Sequence, residues 1–212
     1  MKIRKPVLIV LGEPNSVFTE ILSKILNFII NNQKIRYPII LIGSKNLIFS
    51  QLRLLRKKIH FEVINKKNFN YKKLKKKIYL IDVKYKFKKP FEIISNKSKS
   101  YISNCFNIAL NLIHLKVSNI LINGPISKTH FLKKKYPGVT EYLFNKSKIR
   151  ISKEPTMLLF NKKISVSPIT THIPLKNVAK TINQKSIINK VLQIDAFYKA
   201  NFNIVPKIAL LG

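Results

Sequence analysis

Four short apolar runs, each closed by a polar or turn residue, constrain this chain more than any other feature. They are residues 7–11 (VLIVL), 38–42 (PIILI), 78–83 (IYLIDV) and 119–122 (NILI), the first closed by Gly12 and Pro14 and the last by Asn123, Gly124 and Pro125. A strand exposed on one face alternates apolar with polar residues, whereas a strand covered on both faces reads as an unbroken apolar run. The first two are therefore expected to be buried strands of a largely parallel sheet, and the other two are also read as strands. Between the first two, Val17, Phe18, Ile21, Leu22, Ile25, Leu26, Ile29 and Ile30 recur in pairs every four residues. That spacing predicts a helix with one apolar stripe, for which Asn15 or Ser16 is a candidate cap. Ser44 or Asn46 can start a second helix running to Leu55, and residues 60–64 read as a further strand. Strand, helix, strand, helix with short links means an α/β architecture with right-handed crossovers.

Residues 65–100 show clear apolar patterning only in the 78–83 run, the rest being mostly Lys, Asn and Ser around Pro90. A helix is expected over 101–115, and residues 131–136 close the unit that ends the first lobe. Beyond lie a short helix (140–145), two strands (156–160 and 164–169), a long helix (186–200) and a last strand (207–211). The expected division is a first α/β lobe over 1–135 and the start of a second over 136–212.

Composition narrows the function classes. Forty-one Lys and Arg stand against eight Asp and Glu, a formal net charge of +33. Such an excess suits nucleic acid, where cations release counterions from phosphate. The lysines are instead strewn from Lys2 to Lys207 without one basic helix or arm, which favours compositional drift over a dedicated nucleic-acid surface. A single cysteine, Cys105, excludes an internal disulfide and a C-x-x-C zinc site, pointing to a reducing compartment. The basic, apolar start is too short for a signal peptide and leads into a helix, and no run approaches the ~18 apolar residues of a membrane span. A cytoplasmic protein is expected. Five glycines form neither G-x-G-x-x-G nor a P-loop, and the eight carboxylates offer no obvious acid/base pair.

The chemistry-bearing segments are four. SPITTHIPL (167–175) places His172 beyond an alternating run, where a strand-end histidine could ligate a metal or serve structurally. NGPISK (123–128) puts Gly-Pro after a strand, with Ser127 and Lys128 placed to hold a phosphate or carboxylate or simply to form a surface turn. PGVTEY (137–142) carries Thr140, and GEPNSVFTE (12–20) follows the first strand. His60 and His114 look structural, and His130 lies beside the NGPISK turn.

In order and spacing these segments resemble the TTHLPL, TGP or TAP…K, TGHTEF and GDPAGIGPE signatures of 4-hydroxythreonine-4-phosphate dehydrogenases, in register from residue 6 to residue 212. The resemblance implies a three-layer, mostly parallel fold like isocitrate and isopropylmalate dehydrogenases, incomplete at its C-terminal end. It also implies NAD- and divalent-metal-dependent oxidation, with decarboxylation, of 4-phosphooxy-L-threonine to 3-amino-2-oxopropyl phosphate in vitamin B6 biosynthesis. His172 would ligate the metal (zinc, magnesium or cobalt), Thr140 and Lys128 would bind the small phosphorylated amino-acid substrate, and the enzyme would be a homodimer. The general base is not identified. Family members continue past the equivalent of Gly212 into a segment like LNPHAGE and supply two further histidine ligands, so this chain resembles their N-terminal portion. Val139 stands where the family has a substrate-binding histidine, and Ser16 and Phe18 replace glycines of GDPAGIGPE. A diverged or truncated relative without catalysis is the alternative, and a basic nucleic-acid binder the distant one.

Overall fold

A computed structural model describes residues 5–32, 34–65, 70–133, 135–147, 155–161 and 163–211. Five strands form one parallel sheet: β1 (Val7–Val10), β2 (Ile39–Gly43), β3 (Glu62–Ile64), β4 (Ile78–Asp82) and β5 (Ile120–Asn123), in the spatial order β3-β4-β2-β1-β5. β1 is paired on both sides, with Leu8 beside both Ile40 and Leu121, and Ile9 beside Leu41 and Ile122.

Because successive side chains alternate across a strand, each apolar run feeds two cores. Leu8, Val10, Ile40, Ile42, Tyr79 and Ile81 point to one face, where Ile102, Cys105, Phe106 and Ala109 of helix α3 (Lys99–His114) cover them. Ile9, Leu11, Leu41, Ile78 and Leu80 point to the other face. Helices α1 (Phe18–Asn31) and α2 (Lys45–Leu54) cover that side with Leu22, Leu26, Ile48 and Leu52. The three-layer, parallel expectation is met, and the unbroken runs of β1, β2 and β4 are explained by burial on both faces, whereas β5 leaves Ile120 and Ile122 exposed.

Two helix starts follow different chemistry. Ser44 caps α2 by accepting the Leu47 N–H at 3.3 Å, as expected for a serine at that position. Helix α1 begins after Val17 without a side-chain cap, and Asn15 turns away to accept the backbone N–H of Glu92 at 2.9 Å.

The chain divides into two compact units, Met1–Ile149 and Arg150–Gly212. The first holds the sheet and ends with α4 (Val139–Lys146), whose Tyr142 joins the α3-side core. The second contains the short α5 (Val178–Thr181) and the long α6 (Gln184–Phe202). A capping box starts α6, with Asn183 accepting the Ser186 N–H at 3.0 Å while the Ser186 hydroxyl faces the Asn183 N–H. Rings of Phe160, Phe197, Tyr198 and Phe202 cluster on it, Phe160 stacking on Phe202 at 5.2 Å.

The strands expected over 156–160 and 164–169 reduce to one antiparallel bridge, Leu159 with Val166. The 207–211 run forms no strand at all, and Leu211 is 95% exposed. An extended segment becomes a strand only when a neighbour takes its backbone hydrogen bonds in succession; Leu159 and Val166 exchange one such pair, and the 207–211 run pairs with no strand among the described residues. No described hydrophobic side chain of this second unit is fully buried.

Candidate functional site

In the sheet order, β2, β4 and β3 lie on one side of β1 and β5 on the other, so the carboxyl ends of β1 and β5 form the point where the winding reverses. Open α/β sheets bind their ligands at such a point. Here the two strand ends nearly touch. The Gly124 N–H donates to the Val10 carbonyl at 2.7 Å and the Glu13 N–H to the Pro125 carbonyl at 2.8 Å. Gly12 adopts a left-handed φ of 74°, and a Cβ there would strike the Pro125 carbonyl oxygen; a Cβ on Gly124 would strike the Leu11 carbonyl oxygen. Glycine is required at both positions for the backbones to pass.

Beside this crossing sits a buried polar cluster. The Glu13 carboxylate, 3% exposed, accepts the Ser98 hydroxyl at 2.8 Å and the Asn15 N–H at 3.3 Å. Glu92, tied to Asn15, accepts the backbone N–H groups of Lys88 and Lys89 at 2.6 and 3.1 Å, which hold its carboxyl below the usual carboxylate range. Burial, with the Glu13 and Glu92 carboxylates nearby, pushes the Tyr85 phenol upward. Gln51, buried in α2, accepts the Thr19 hydroxyl and donates to the carbonyls of Pro14 and Pro90 at 2.6 and 2.9 Å. Glu13, Asn15 and Gln51 thus fasten the segment around Pro90 to the end of β1.

Lys128 lies four residues past the Gly124 crossing. Residues Lys128–Leu132 form one π-helical turn, opened by Ser127, whose hydroxyl accepts the His130 N–H at 3.2 Å. Phe131 and Leu132 are buried and pin the turn to the core, leaving the Lys128 side chain exposed. Thr140 stands exposed in the first turn of α4, after the extended Gly138, while the preceding Val139 packs against the α3-side core. The turn and the helix are welded by aromatic contact: Tyr142 meets Phe131 edge-on at 5.0 Å and Phe106 at 5.6 Å. The two expected substrate contacts therefore project from neighbouring elements of the first unit. Next to Thr140, Glu141 keeps its Oε2 buried and without a hydrogen-bond partner, a carboxylate oxygen able to accept from an N–H or O–H group.

His172 belongs to the second unit, and the expected strand before it is absent. It is exposed and holds a left-handed φ of 57°, a conformation several-fold enriched for histidine among non-glycine residues. Among the described residues no three His, Cys, Asp or Glu side chains come together as a metal site. The described residues do not by themselves fit a divalent metal.

A profile described as pyridoxal phosphate biosynthetic protein PdxA matches residues 34–212. The chain belongs to the PdxA family. It is 34% identical over 210 residues to the 4-hydroxythreonine-4-phosphate dehydrogenase of Sulfurihydrogenibium sp. (strain YO3AOP1), covering 96% of this chain and 61% of that relative. It is 26% identical over 212 residues to the enzyme of the same name from Aquifex aeolicus (strain VF5), covering 98% and 62%. The fold is also that of a solved 4-hydroxythreonine-4-phosphate dehydrogenase from Burkholderia phymatum, with a TM-score of 0.74 at 19% identity over 94% of this chain and 60% of that one. This PdxA-family chain thus spans about three-fifths of the length of the relatives it matches.

Reading the sequence alone missed Glu13, Asn15 and Gln51 as a working set. Glu13 was visible as one of only eight acids and as a residue immediately after a buried strand. Its partners were not visible, since Ser98 is 85 residues away along the chain.

Proposed function

We propose that this chain carries the substrate-contacting part of a PdxA-type dehydrogenase. The reaction is oxidation of the secondary alcohol of 4-phosphooxy-L-threonine, with loss of carbon dioxide, to give 3-amino-2-oxopropyl phosphate for pyridoxal phosphate biosynthesis. The observation that carries this reading is the 34% identity to a relative of that name across 96% of the chain. The Lys128 ammonium offers charge to the phosphate, and the Thr140 hydroxyl can orient the substrate by donating or accepting a hydrogen bond. The aromatic core beneath fixes the backbone from which both side chains project. NAD, when bound, supplies the hydride acceptor. The divalent metal, be it zinc, magnesium or cobalt, would use His172 together with donors beyond the described set, and the proposed form is a cytoplasmic homodimer.

A second reading, a family member without catalysis, is favoured by one observation. Where the resembling enzymes carry a substrate-binding histidine, Val139 turns into the core. Growth complementation separates the two. A bacterial strain unable to make pyridoxine, lacking its own enzyme of this family, would receive the chain extended after Gly212 by the unmatched C-terminal part of the Sulfurihydrogenibium relative. Growth without pyridoxine, lost with Thr140→Ala or His172→Ala, supports the dehydrogenase. Growth only when Val139→His is also introduced supports the non-catalytic reading, and no growth from either folded protein overturns the enzymatic assignment of this chain.

A further inference from the structure

In a chain with 41 Lys and Arg, residues 100–113 carry no Lys, Arg, Asp or Glu. They make up nearly all of α3, whose inner side packs on the sheet through Ile102, Cys105, Phe106 and Ala109. The outer stripe is carboxamide instead. Asn104, Asn107 and Asn111 are exposed and stand three and four residues apart, so they follow one line along about two turns. None of the three side chains has a hydrogen-bond partner among the described residues. Beside the stripe runs an open cleft of about 620 Å³, bounded across from it by the end of β4. Asp82 and Lys84 stand exposed on that border. One Asp82 oxygen accepts the Lys45 N–H at 2.8 Å, leaving the other, and Lys84 takes part in no ion pair among the described residues. Ile108 and Leu112 give the cleft an apolar floor, and neither Lys128 nor Thr140 lines it.

The chemistry of this lining selects a ligand class. A carboxamide both donates and accepts, as a hydroxyl does, so three in a row match a polyol better than a bare ion. The remaining Asp82 oxygen accepts from further hydroxyls, and the apolar floor suits the C–H face of a sugar ring. Among the described lining residues Lys84 is the one cation, placed to meet a single anionic group, and none is aromatic, which disfavours a stacked nucleobase. The volume falls in the usual range of small-molecule sites, roughly 300–1,000 Å³. We propose that the cleft between α3 and the end of β4 binds a monosaccharide phosphate. Its hydroxyls meet Asn104, Asn107, Asn111 and Asp82, and its phosphate meets Lys84. The site stands apart from the dehydrogenase reading and does not depend on it.

Equilibrium dialysis of the 212-residue chain tests it, in about 0.15 M salt so that the +33 charge is screened. The probes are radiolabelled D-glucose 6-phosphate and D-ribose 5-phosphate, with D-glucose and inorganic phosphate for comparison. The expected result is saturable binding of one sugar phosphate per chain, at least tenfold tighter than either comparison probe. Lys84→Met should weaken it at least tenfold, and Asn107→Leu, which trades a carboxamide for an apolar chain of similar size, at least fivefold. Both positions are exposed, so the variants should keep the fold, as circular dichroism would check; Asn104→Leu replaces either that does not. Three results would overturn the proposal. They are no saturable binding of either sugar phosphate, inorganic phosphate bound as tightly as the sugar phosphates, and binding that survives Lys84→Met and Asn107→Leu but is lost with Lys128→Ala. The last would place the sugar phosphate at the proposed dehydrogenase substrate site.

Discussion

Replacing Gly124 by alanine probes the crossing of β1 and β5 at one methyl group. The new Cβ would fall on the Leu11 carbonyl oxygen and 2.8 Å from the Phe18 ring. Neither is the free end of a flexible chain, since Leu11 follows β1 and Phe18 packs on the α1-side core. The strand end must therefore move. Overpacking of this kind costs roughly 1–3 kcal/mol. Displacement also stretches the Gly124-to-Val10 and Glu13-to-Pro125 hydrogen bonds, each worth about 1 kcal/mol net. A total near 3 kcal/mol is expected, which for a chain of this size lowers the thermal midpoint by about 6–12 °C. Circular dichroism on wild type and Gly124→Ala reads it directly. A midpoint within 1–2 °C of wild type, roughly the effect of a surface substitution, would refute the claim that the two backbones are in forced contact.

Other consequences are as specific. Phe106→Ala removes a side chain with no exposed surface, lodged between the Phe131 and Tyr142 rings, and should cost about 3–5 kcal/mol in urea unfolding. Tyr101→Phe deletes the hydroxyl that accepts the buried Ser44 N–H at 3.0 Å, and leaving that group unsatisfied should cost about 1–3 kcal/mol by the same assay. The Glu92 carboxyl is lowered in the folded state, so its contribution is present above the ordinary carboxylate pKa of 4.5 and is lost as pH falls through the lower folded value. An acid-unfolding series should accordingly show Glu92→Gln with a shallower loss of stability below pH ~4.5 than wild type, whereas parallel curves would deny the role of the Lys88 and Lys89 N–H groups.

What could be read from the sequence followed burial. The runs at 7–11, 38–42 and 78–83 became β1, β2 and β4 because an unbroken apolar stretch has few ways to hide both faces other than a covered parallel strand. Residues 164–169 and 207–211 carry similar patterns without becoming strands, since a pattern records which side chains avoid water and not whether a neighbour exists to pair with. In the site, the motifs name Lys128 and Thr140 as candidates, and both lie exposed on the first unit. They do not name Glu13 and Gln51, because each is defined by partners that meet it only in the folded sheet: Ser98 at a separation of 85 residues, and Pro14 and Pro90 at 37 and 39. His172 was expected at a strand end, but no strand forms before it among the described residues, and its left-handed backbone has no signature in the one-letter pattern.

The most direct test of the dehydrogenase assignment is the absorbance at 340 nm of the extended chain mixed with NAD, a divalent metal salt and 4-phosphooxy-L-threonine. The account predicts NADH formed in step with 3-amino-2-oxopropyl phosphate and carbon dioxide, weakened at least tenfold by Lys128→Ala and restored in part by Lys128→Arg. A folded extended chain that binds the substrate yet forms no NADH with zinc, magnesium or cobalt would contradict it.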